Sequence, residues 1–284
     1  MKQKILTLDI SNMIMRCLFA QTPGPEEKEF LLFKATFFSS FFKAISEINP
    51  NRVFCCIDGT SWRKDIYEGY KASRAAKRSA SIVNFEKFFE VWSNLLERMK
   101  KAFEGTNIYF VDVPKTEADD QIAVITKYHP QWECYNVSSD RDFMQLFVYP
   151  NYHQFDAIKK EYLGTLNPET DLLVKIITGD KSDDIPGIKR GTGMKTAEKI
   201  VNSGELDKWL DENNLNEQFL LNSKLISFEN IPTEYVEAIN RVVDSFEYNP
   251  EPRAKKFNEF ANNSGIGLLV TNIIEYTNII KSIK

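Results

Sequence analysis

The sequence is poor in the residues on which zinc proteins and disulfide-stabilised proteins depend. Its 284 residues include two histidines and four cysteines, with no Cys-x-x-Cys spacing. This set predicts neither a zinc site nor a disulfide framework, and it leaves little room for a Ser-His-Asp catalytic apparatus. No run of about 18 apolar residues occurs, and Asp9 interrupts the apolar start. We therefore expect no membrane span and no signal peptide, and a cytoplasmic location.

A basic excess and a phosphate-binding P-loop motif are missing too. The chain has 36 Lys and Arg against 40 Asp and Glu, for a net charge of −4, and no GxxxxGK[ST] occurs. Nucleic-acid-binding domains usually carry surplus positive charge, so the composition alone argues against such a partner. With 43% hydrophobic and 27% charged residues, the chain has the composition of a globular protein.

Apolar strands and amphipathic helices alternate along the first part of the chain. Short apolar runs predict strands at residues 4–10, 53–58, 108–111 and 134–138. Stripes of aromatic residues predict two long helices, and further helices are expected at 117–128 and 172–178. This alternation favours an α/β class with a mostly parallel central sheet flanked by helices. We expect this domain over residues 1–178 and a smaller helical domain over residues 179–284.

Nine acidic residues stand where such a sheet would gather them. They are Asp9, Asp58, Glu117, Asp119, Asp120, Asp140, Asp142, Asp180 and Asp183. Three predicted strands run into acids of this set, and the carboxyl ends of parallel strands share one edge of a sheet. Thr116 is expected to cap a helix whose first turn carries three more of them. Asp140 and Asp142 are spaced to share one side of a strand, and Asp180 and Asp183 one face of a helical turn.

Any one of these acids alone would be a helix cap or a solvated turn residue. Together they would repel one another unless cations neutralised them. Mg²⁺ is the natural partner of an all-carboxylate site, and Mn²⁺ is a suitable substitute. The set is large enough for two ions, which can stabilise both the attacking and the leaving oxygen when a phosphodiester is hydrolysed.

Two basic segments accompany the acids. Residues 61–78 carry six bases against two acids, interleaved with aromatic residues; the bases are Arg63, Lys64, Lys71, Arg74, Lys77 and Arg78. This pattern suits a phosphate backbone with unstacked bases, and a solvated amphipathic helix is the alternative. The second segment has a glycine-rich turn before a helix, whose N–H groups can bind phosphate, and a plain helix connector is the alternative. Its residues are Gly187, Lys189, Arg190, Gly191, Gly193 and Lys195.

Five segments in this order resemble the flap endonuclease and 5′–3′ exonuclease family, especially its bacteriophage members. They are LDISNMIMR, FCCIDGTSWRKDIYEGYKASR, TEADDQIA, SSDRDFMQL and GDKSDDIPGIKRGTG, and they cover roughly residues 4 to 200. The resemblance implies a PIN-like nuclease core and a helical arch over about residues 61–103. It also implies a helix-hairpin-helix-like element in the C-terminal domain, where a K⁺ ion is sometimes found.

The resemblance also implies roles for individual residues. The nine acids match the metal carboxylates of the family, with Asp120 as the extra acid of phage members. Lys71 and Arg74 match residues that contact the scissile phosphate, and Arg16 matches a basic residue that contacts DNA. Further nucleic-acid contacts are expected at Arg63, Lys64, Tyr70, Lys77, Arg78 and the residues of the glycine-rich segment. Met15 stands where family members often carry a base-stacking aromatic residue, and no clamp-binding box is evident.

The implied function is a structure-specific 5′ nuclease that depends on two Mg²⁺ ions. Its substrates would be DNA with 5′ flaps, nicks or single-strand/duplex junctions, and RNA–DNA hybrid in primer removal during replication. A single-strand-binding protein or a sliding clamp is a hypothetical partner. The alternative is a non-catalytic branched-DNA-binding protein on the same scaffold. A phosphohydrolase with an aspartyl nucleophile fits poorly because residues 9–11 do not form a D-x-D motif.

Overall fold

The strands of the central sheet lie where the sequence is most continuously apolar. In a computed structural model, which describes residues 2–20 and 26–284, the strands are β1 (Gln3–Asp9), β2 (Arg52–Cys56), β3 (Ile108–Val111), β4 (Trp132–Val137), β5 (Tyr152–Asp156) and β6 (Glu161–Leu163). They are ordered β3-β2-β1-β4-β5-β6, and neighbours pair in parallel except for β5 and β6. The predicted mostly parallel sheet is confirmed, whereas its β5–β6 hairpin edge was not predicted.

Helices surround this sheet and form the C-terminal part of the chain. They are α1 (Ile10–Phe19), α2 (Glu26–Ile48), α3 (Arg63–Ile66), α4 (Ser73–Ser79), α5 (Phe85–Ala102), α6 (Ala118–Tyr128), α7 (Pro168–Thr178), α8 (Met194–Asn202), α9 (Leu206–Glu212), α10 (Asn216–Ile226), α11 (Thr233–Asp244), α12 (Lys255–Asn263), α13 (Gly267–Thr271) and α14 (Ile273–Ser282). Two 3₁₀ helices cover Asp142–Val148 and Phe228–Asn230. In the part of the chain that the structure describes, no helix is long and apolar enough to cross a membrane.

Side chains of the strands alternate in direction, so both faces of the sheet are apolar. Helices cover both faces. Along β2, Val53 and Cys55 pack into one core, and Phe54 and Cys56 into the other. The aromatic stripes of α2 and α5 fill the first core, where Phe33 meets Phe88 edge-on at 5.0 Å between ring centroids. The second core lies under α6 and α11. Both predicted aromatic stripes are therefore core-packing faces.

The residues after 178 form two groups with different neighbours. Helices α8 and α10 pack against α7, whereas α12 packs against α5, and both α13 and α14 against α2. The division of the chain at residue 178 stays a prediction. In the segment predicted to form the arch, α4 buries no side chain, but Phe88 and Trp92 of α5 lie in the core.

Phe257 joins the C-terminal helices to the sheet core, and its replacement tests how firmly they are attached. Its ring is buried against Phe42 and Phe103, at 5.4 Å and 5.5 Å between centroids. We expect Phe257→Ala to lower the free energy of unfolding by about 3–5 kcal/mol in urea denaturation, because a large buried side chain leaves a cavity. Lys255→Ala, on the exposed face of α12, is the control and should change it by less than about 0.5 kcal/mol. Equal effects of the two variants would contradict the packing.

Candidate active site

Three neighbouring strands deliver carboxylates to one edge of the sheet, as predicted. Asp9 is the last residue of β1, Asp58 follows β2, and Asp140 follows β4. The Asp9 carboxylate accepts a hydrogen bond from the Asn12 N–H at 2.8 Å and so caps α1. The Asp58 carboxylate accepts one from the Ala118 N–H, also at 2.8 Å, which ties the end of β2 to the start of α6. Local capping thus orients two of the predicted metal ligands.

The start of α6 supplies three more carboxylates. Glu117, Asp119 and Asp120 bring one oxygen each within 4.8 Å of one another. The predicted cap at Thr116 is wrong: Glu117 is the N-cap residue, and its N–H donates to the Asp120 carboxylate at 3.1 Å. The Thr116 hydroxyl instead donates to the Val113 carbonyl at 2.9 Å.

A second carboxylate cluster joins Asp142, Asp180 and Asp183, whose oxygens also lie within 4.8 Å of one another. The local geometry differs from both predictions. Strand β4 ends at Val137 and Asp142 begins a 3₁₀ helix, so Asp142 does not extend a strand. Asp180 and Asp183 lie in a turn that is closed by paired backbone hydrogen bonds between Asp180 and Ile185, not on a helix.

Arg63 and Tyr70, both predicted to contact nucleic acid, are buried beneath the acids. The Arg63 side chain is 2% exposed and forms ion pairs with Asp120 at 2.8 Å and Glu117 at 3.0 Å. The Tyr70 hydroxyl donates to the Glu117 carboxylate at 2.8 Å. The expected surface roles of these two residues are wrong, because buried carboxylates at the start of α6 need a cation and a donor.

Asp120 is a partner of Arg63 in this arrangement. Its two carboxylate oxygens accept hydrogen bonds from Arg63, and one of them also accepts from the Trp62 indole N–H at 3.1 Å. Because the Asp120 side chain is completely buried, its oxygens face the protein. Its assignment as a metal ligand stays a prediction, and its bonds to Arg63, Trp62 and the Glu117 N–H weigh against that role.

Lys71 and Arg74 lie directly against the acids. Lys71 forms ion pairs with Glu117 and with Asp183, the latter at 3.5 Å. The Arg74 guanidinium lies 2.7 Å from Asp183 and is 41% exposed. Their positive charge is thus held at the carboxylates, and Arg74 also faces solvent.

The remaining predicted nucleic-acid contacts are exposed and lie in three places. Arg16 and Arg78 line the same cavity as the acids, whereas Lys64 and Lys77 face solvent elsewhere in the basic segment. All six predicted residues of the glycine-rich segment are exposed; they are Gly187, Lys189, Arg190, Gly191, Gly193 and Lys195. Gly193 caps α8, as predicted, and Gly191 has a φ of +84° that favours glycine. A Cβ on Gly187 would approach the Thr178 carbonyl oxygen to 2.9 Å, so packing against α7 explains this glycine.

The carboxylates and basic residues surround one open cavity of about 770 Å³. Its lining includes Asp9, Asp58, Lys71, Arg74, Glu117, Asp119, Asp140, Asp142 and Asp183. Nearly the whole predicted acidic set therefore meets in one place. A phosphate group entering this cavity would meet cations as well as acids.

The electrostatics of the cavity fit a divalent cation. Burial, together with the carboxylates of Asp58 and Asp140, raises the pKa of Asp9 to about 8. Burial likewise raises the pKa of Asp119, and its acidic neighbours Asp120 and Glu117 add to this effect. Crowded oxygen donors that resist ionisation without a counter-charge suit a hard ion such as Mg²⁺.

Two residues at the site were missed by the sequence analysis. Lys175, in the last turn of α7, forms ion pairs with Asp142 and with Asp180, the latter at 2.8 Å. Although burial opposes the effect, Lys175 helps to lower the pKa of Asp180 to about 2. The helix dipole favours a lysine near any helix C-terminus, so the position of Lys175 in the sequence did not indicate a functional role. Phe19, the last residue of α1, lines the cavity and gave no signal beyond its apolar character.

Comparisons with known proteins bear on this site. The family model described as "5'-3' exonuclease, N-terminal resolvase-like domain" matches residues 4–170, which is more than half of the chain. The chain belongs to this family. It is 28% identical to Ribonuclease H of Enterobacteria phage T4, over 97% of this chain and 96% of that protein. It is 29% identical to flap endonuclease Xni of Pseudoalteromonas translucida, over 72% of this chain and 79% of that protein.

Structural similarity agrees with the family assignment. The bacteriophage T5 D15 flap endonuclease, solved in a pseudo-enzyme-product complex with DNA and metal ions, superposes with a TM-score of 0.63 at 19% identity. The match covers 97% of this chain and 100% of that one. The resemblance found in the sequence and the predicted fold class are both confirmed.

The raised pKa of Asp9 predicts how the stability of the metal-free protein depends on pH. Between its ordinary value of 3.8 and about 8, the folded protein holds a proton that the unfolded chain releases. The free energy of unfolding in EDTA should therefore fall as the pH rises from 5 to 8. Asp9→Asn can still cap α1, and we expect a shallower pH dependence and a higher Tm at pH 8 for this variant.

The control is Asp207→Asn, an exposed substitution on α9, which should follow the wild type. Addition of Mg²⁺ at pH 8 should raise the Tm of the wild type more than that of Asp9→Asn, because binding to the folded state stabilises it. If the free energy of unfolding depended on pH equally in wild type and Asp9→Asn, the pKa of Asp9 would not be the one that is raised.

Proposed function

We propose that the chain is a structure-specific 5′ nuclease that hydrolyses phosphodiesters at 5′ flaps, nicks and single-strand/duplex junctions. The observation that carries the proposal is the open cavity in which acids from the strand ends meet Lys71 and Arg74. A binding protein would need the basic residues but not this set of carboxylates. The names of the relatives, one a flap endonuclease and one a Ribonuclease H, support 5′ flaps and RNA–DNA hybrid as substrates.

The residues that would hold divalent ions fall into two groups. One comprises Asp9, Asp58, Glu117, Asp119 and Asp140 at the strand ends and the start of α6; the other comprises Asp142, Asp180 and Asp183. Two Mg²⁺ ions bound there would supply charge stabilisation for both the attacking and the leaving oxygen of the displacement. Mn²⁺ is expected to substitute, because it accepts the same oxygen donors.

The basic residues of the cavity have a positioning role in this proposal. Lys71 and Arg74 would hold the non-bridging oxygens of the scissile phosphate, since both already lie against the acids that surround it. The exposure of Arg74 allows its guanidinium to make two hydrogen bonds to a phosphate. The buried Arg63 takes no part in binding and instead keeps Glu117 in place.

The glycine-rich segment is the proposed contact to the duplex. Its lysines and the N-terminal N–H groups of α8 are exposed and suit two adjacent phosphates. The K⁺ ion that the family resemblance implies would belong to this contact. We further propose a role in primer removal during replication in the cytoplasm of a host cell, with a single-strand-binding protein or sliding clamp as hypothetical partners.

The catalytic proposal is tested by removing two carboxylates from the cavity. We expect Asp140→Asn/Asp142→Asn to cleave a 5′-flap substrate with Mg²⁺ at least about 100-fold more slowly than wild type, because the charge that binds the ions is lost. The control is Asp207→Asn, which should cleave like wild type. The assay is a single-turnover cleavage time course with saturating protein.

Two outcomes would contradict the proposal. If Asp140→Asn/Asp142→Asn cut as fast as wild type, the proposed site would be wrong. If the wild type bound flap DNA but did not cut it with Mg²⁺ or Mn²⁺, the chain would be a branched-DNA-binding protein.

The duplex contact is tested by Lys195→Ala. A lysine that contacts a phosphate contributes to affinity equally for all sequences, and its loss lowers the slope of log K against log salt by about 1. We expect this result in fluorescence anisotropy with blunt duplexes of two unrelated sequences. Lys281→Ala on α14 is the control and should leave the slope unchanged. An unchanged slope in Lys195→Ala would remove the glycine-rich segment from the interface.

A further inference from the structure

An aromatic and basic cluster forms one wall of the cavity, and the function proposed above does not use it. Phe19, at the end of α1, lies 6.2 Å from Phe85 between ring centroids. The Arg78 guanidinium lies 5.2 Å from the ring of Phe89 and 5.9 Å from that of Phe85. Phe19, Arg78 and Phe89 all line the cavity that holds the carboxylates. The cluster therefore joins three helices, α1, α4 and α5, beside the carboxylates.

The exposure of Phe19 sets it apart from the other phenylalanines. The chain has 21 phenylalanines, and in the part that the structure describes Phe19 is the only one classed as exposed, with 60% of the residue's surface accessible. Phe85 beneath it is buried, and Phe89 is half-buried. A single exposed apolar residue is common on protein surfaces, so what distinguishes Phe19 is its position at the carboxylate cavity, next to Phe85.

The chemistry of the cluster suits an unpaired nucleobase. Bases stack on exposed aromatic rings whatever their sequence, and an arginine held over the rings adds cation–π attraction and a phosphate contact. Arg16 lies on α1 in the same cavity and adds a second positive charge. Bases in a duplex are already stacked and paired, so only a single-stranded segment can use such a platform.

The length of α1 limits which base can reach the platform. The helix begins next to Asp9 and ends at Phe19, and its 10 residues span about 15 Å. At about 3.4 Å per stacked nucleotide, this distance corresponds to about four nucleotides. The base on Phe19 therefore lies a few nucleotides away from the phosphodiester at Asp9.

We propose that Phe19, with Phe89 and Arg78, forms a subsite for one unpaired base of the 5′ single strand, within about four nucleotides of the bond that is cut. The inference rests on the proposed nuclease function and deepens it. It gives the cavity a way to recognise single-stranded character without reading sequence.

The subsite is tested by combining a protein variant with a missing base. Affinity for a 5′-flap DNA is measured by anisotropy in the Asp140→Asn/Asp142→Asn background, so that cleavage does not interfere. Single abasic sites are placed at each of the first six flap positions. With Phe19 present, we expect one abasic position within about four nucleotides of the bond that is cut to weaken binding about tenfold. Phe19→Leu should weaken binding of the intact flap by the same factor.

The two changes should not add, because both remove the same stacking contact. Phe19→Trp should restore the affinity and the sensitivity to the abasic site. The matched control is Tyr162→Leu on β6, since Tyr162 is 61% exposed and lies outside the cavity lining. This variant should bind like its parent. Thermal melts of all variants establish that the fold is kept.

The subsite is overturned if Phe19→Leu binds the intact flap as tightly as its parent. It is also overturned if Phe19→Leu and the abasic site weaken binding additively, because the ring would then act only through packing. Flap cleavage by the protein with its native carboxylates separates this result from the broader proposal. If that protein cuts flaps with Mg²⁺ while the abasic scan shows no sensitive position, only the subsite fails.

Discussion

Repulsion among carboxylates at one edge of the sheet is the constraint on which the rest of the site depends. The fold places Asp9, Asp58 and Asp140 there because three parallel strands end side by side. Such a group is stable only if positive charge lies close to it. For the neighbouring acids Glu117 and Asp142, the chain supplies that charge itself, through Arg63, Lys71 and Lys175. Removing one partner of a buried pair such as Arg63–Asp120 would leave an uncompensated charge and destabilise the fold by roughly 3–5 kcal/mol.

These cations also attach segments that have few apolar contacts. Helix α4 buries no side chain, yet its own Arg74 and the preceding Lys71 hold it to the 180–185 turn. Arg63 and Tyr70 hold the segment before it to the start of α6. The Lys71 N–H also donates to the Asp183 carbonyl at 2.9 Å, with Lys71 in the left-handed region at a φ of +55°. The contacts that order this segment thus place its basic side chains at the cavity.

The sequence predicted the parts of the site that depend on periodicity and on strand ends. Asp9 and Asp58 could be placed because a buried parallel strand brings its last residue to a shared edge. Arg63 and Tyr70 could not, since a basic and aromatic pattern is the same whether its side chains face solvent or buried acids. Arg63 is buried against Asp120, 57 residues later in the chain, and Tyr70 against Glu117, 47 residues later. Lys175 and Phe19 depend in the same way on tertiary partners that no local pattern reveals.

The distribution of charge explains why a chain with a net charge of −4 can have phosphate as its partner. When the nine acids of the site are left out, the chain has 36 basic and 31 acidic residues. Within the described residues Glu117, Asp120, Asp142, Asp180 and Asp183 already form ion pairs with lysine or arginine. Among the same described residues, the strand-end acids Asp9, Asp58 and Asp140 have no ion pair with lysine or arginine. The pKa of Asp9 is raised. Added positive charge would therefore relieve the most repulsion beside Asp9, at the end of β1.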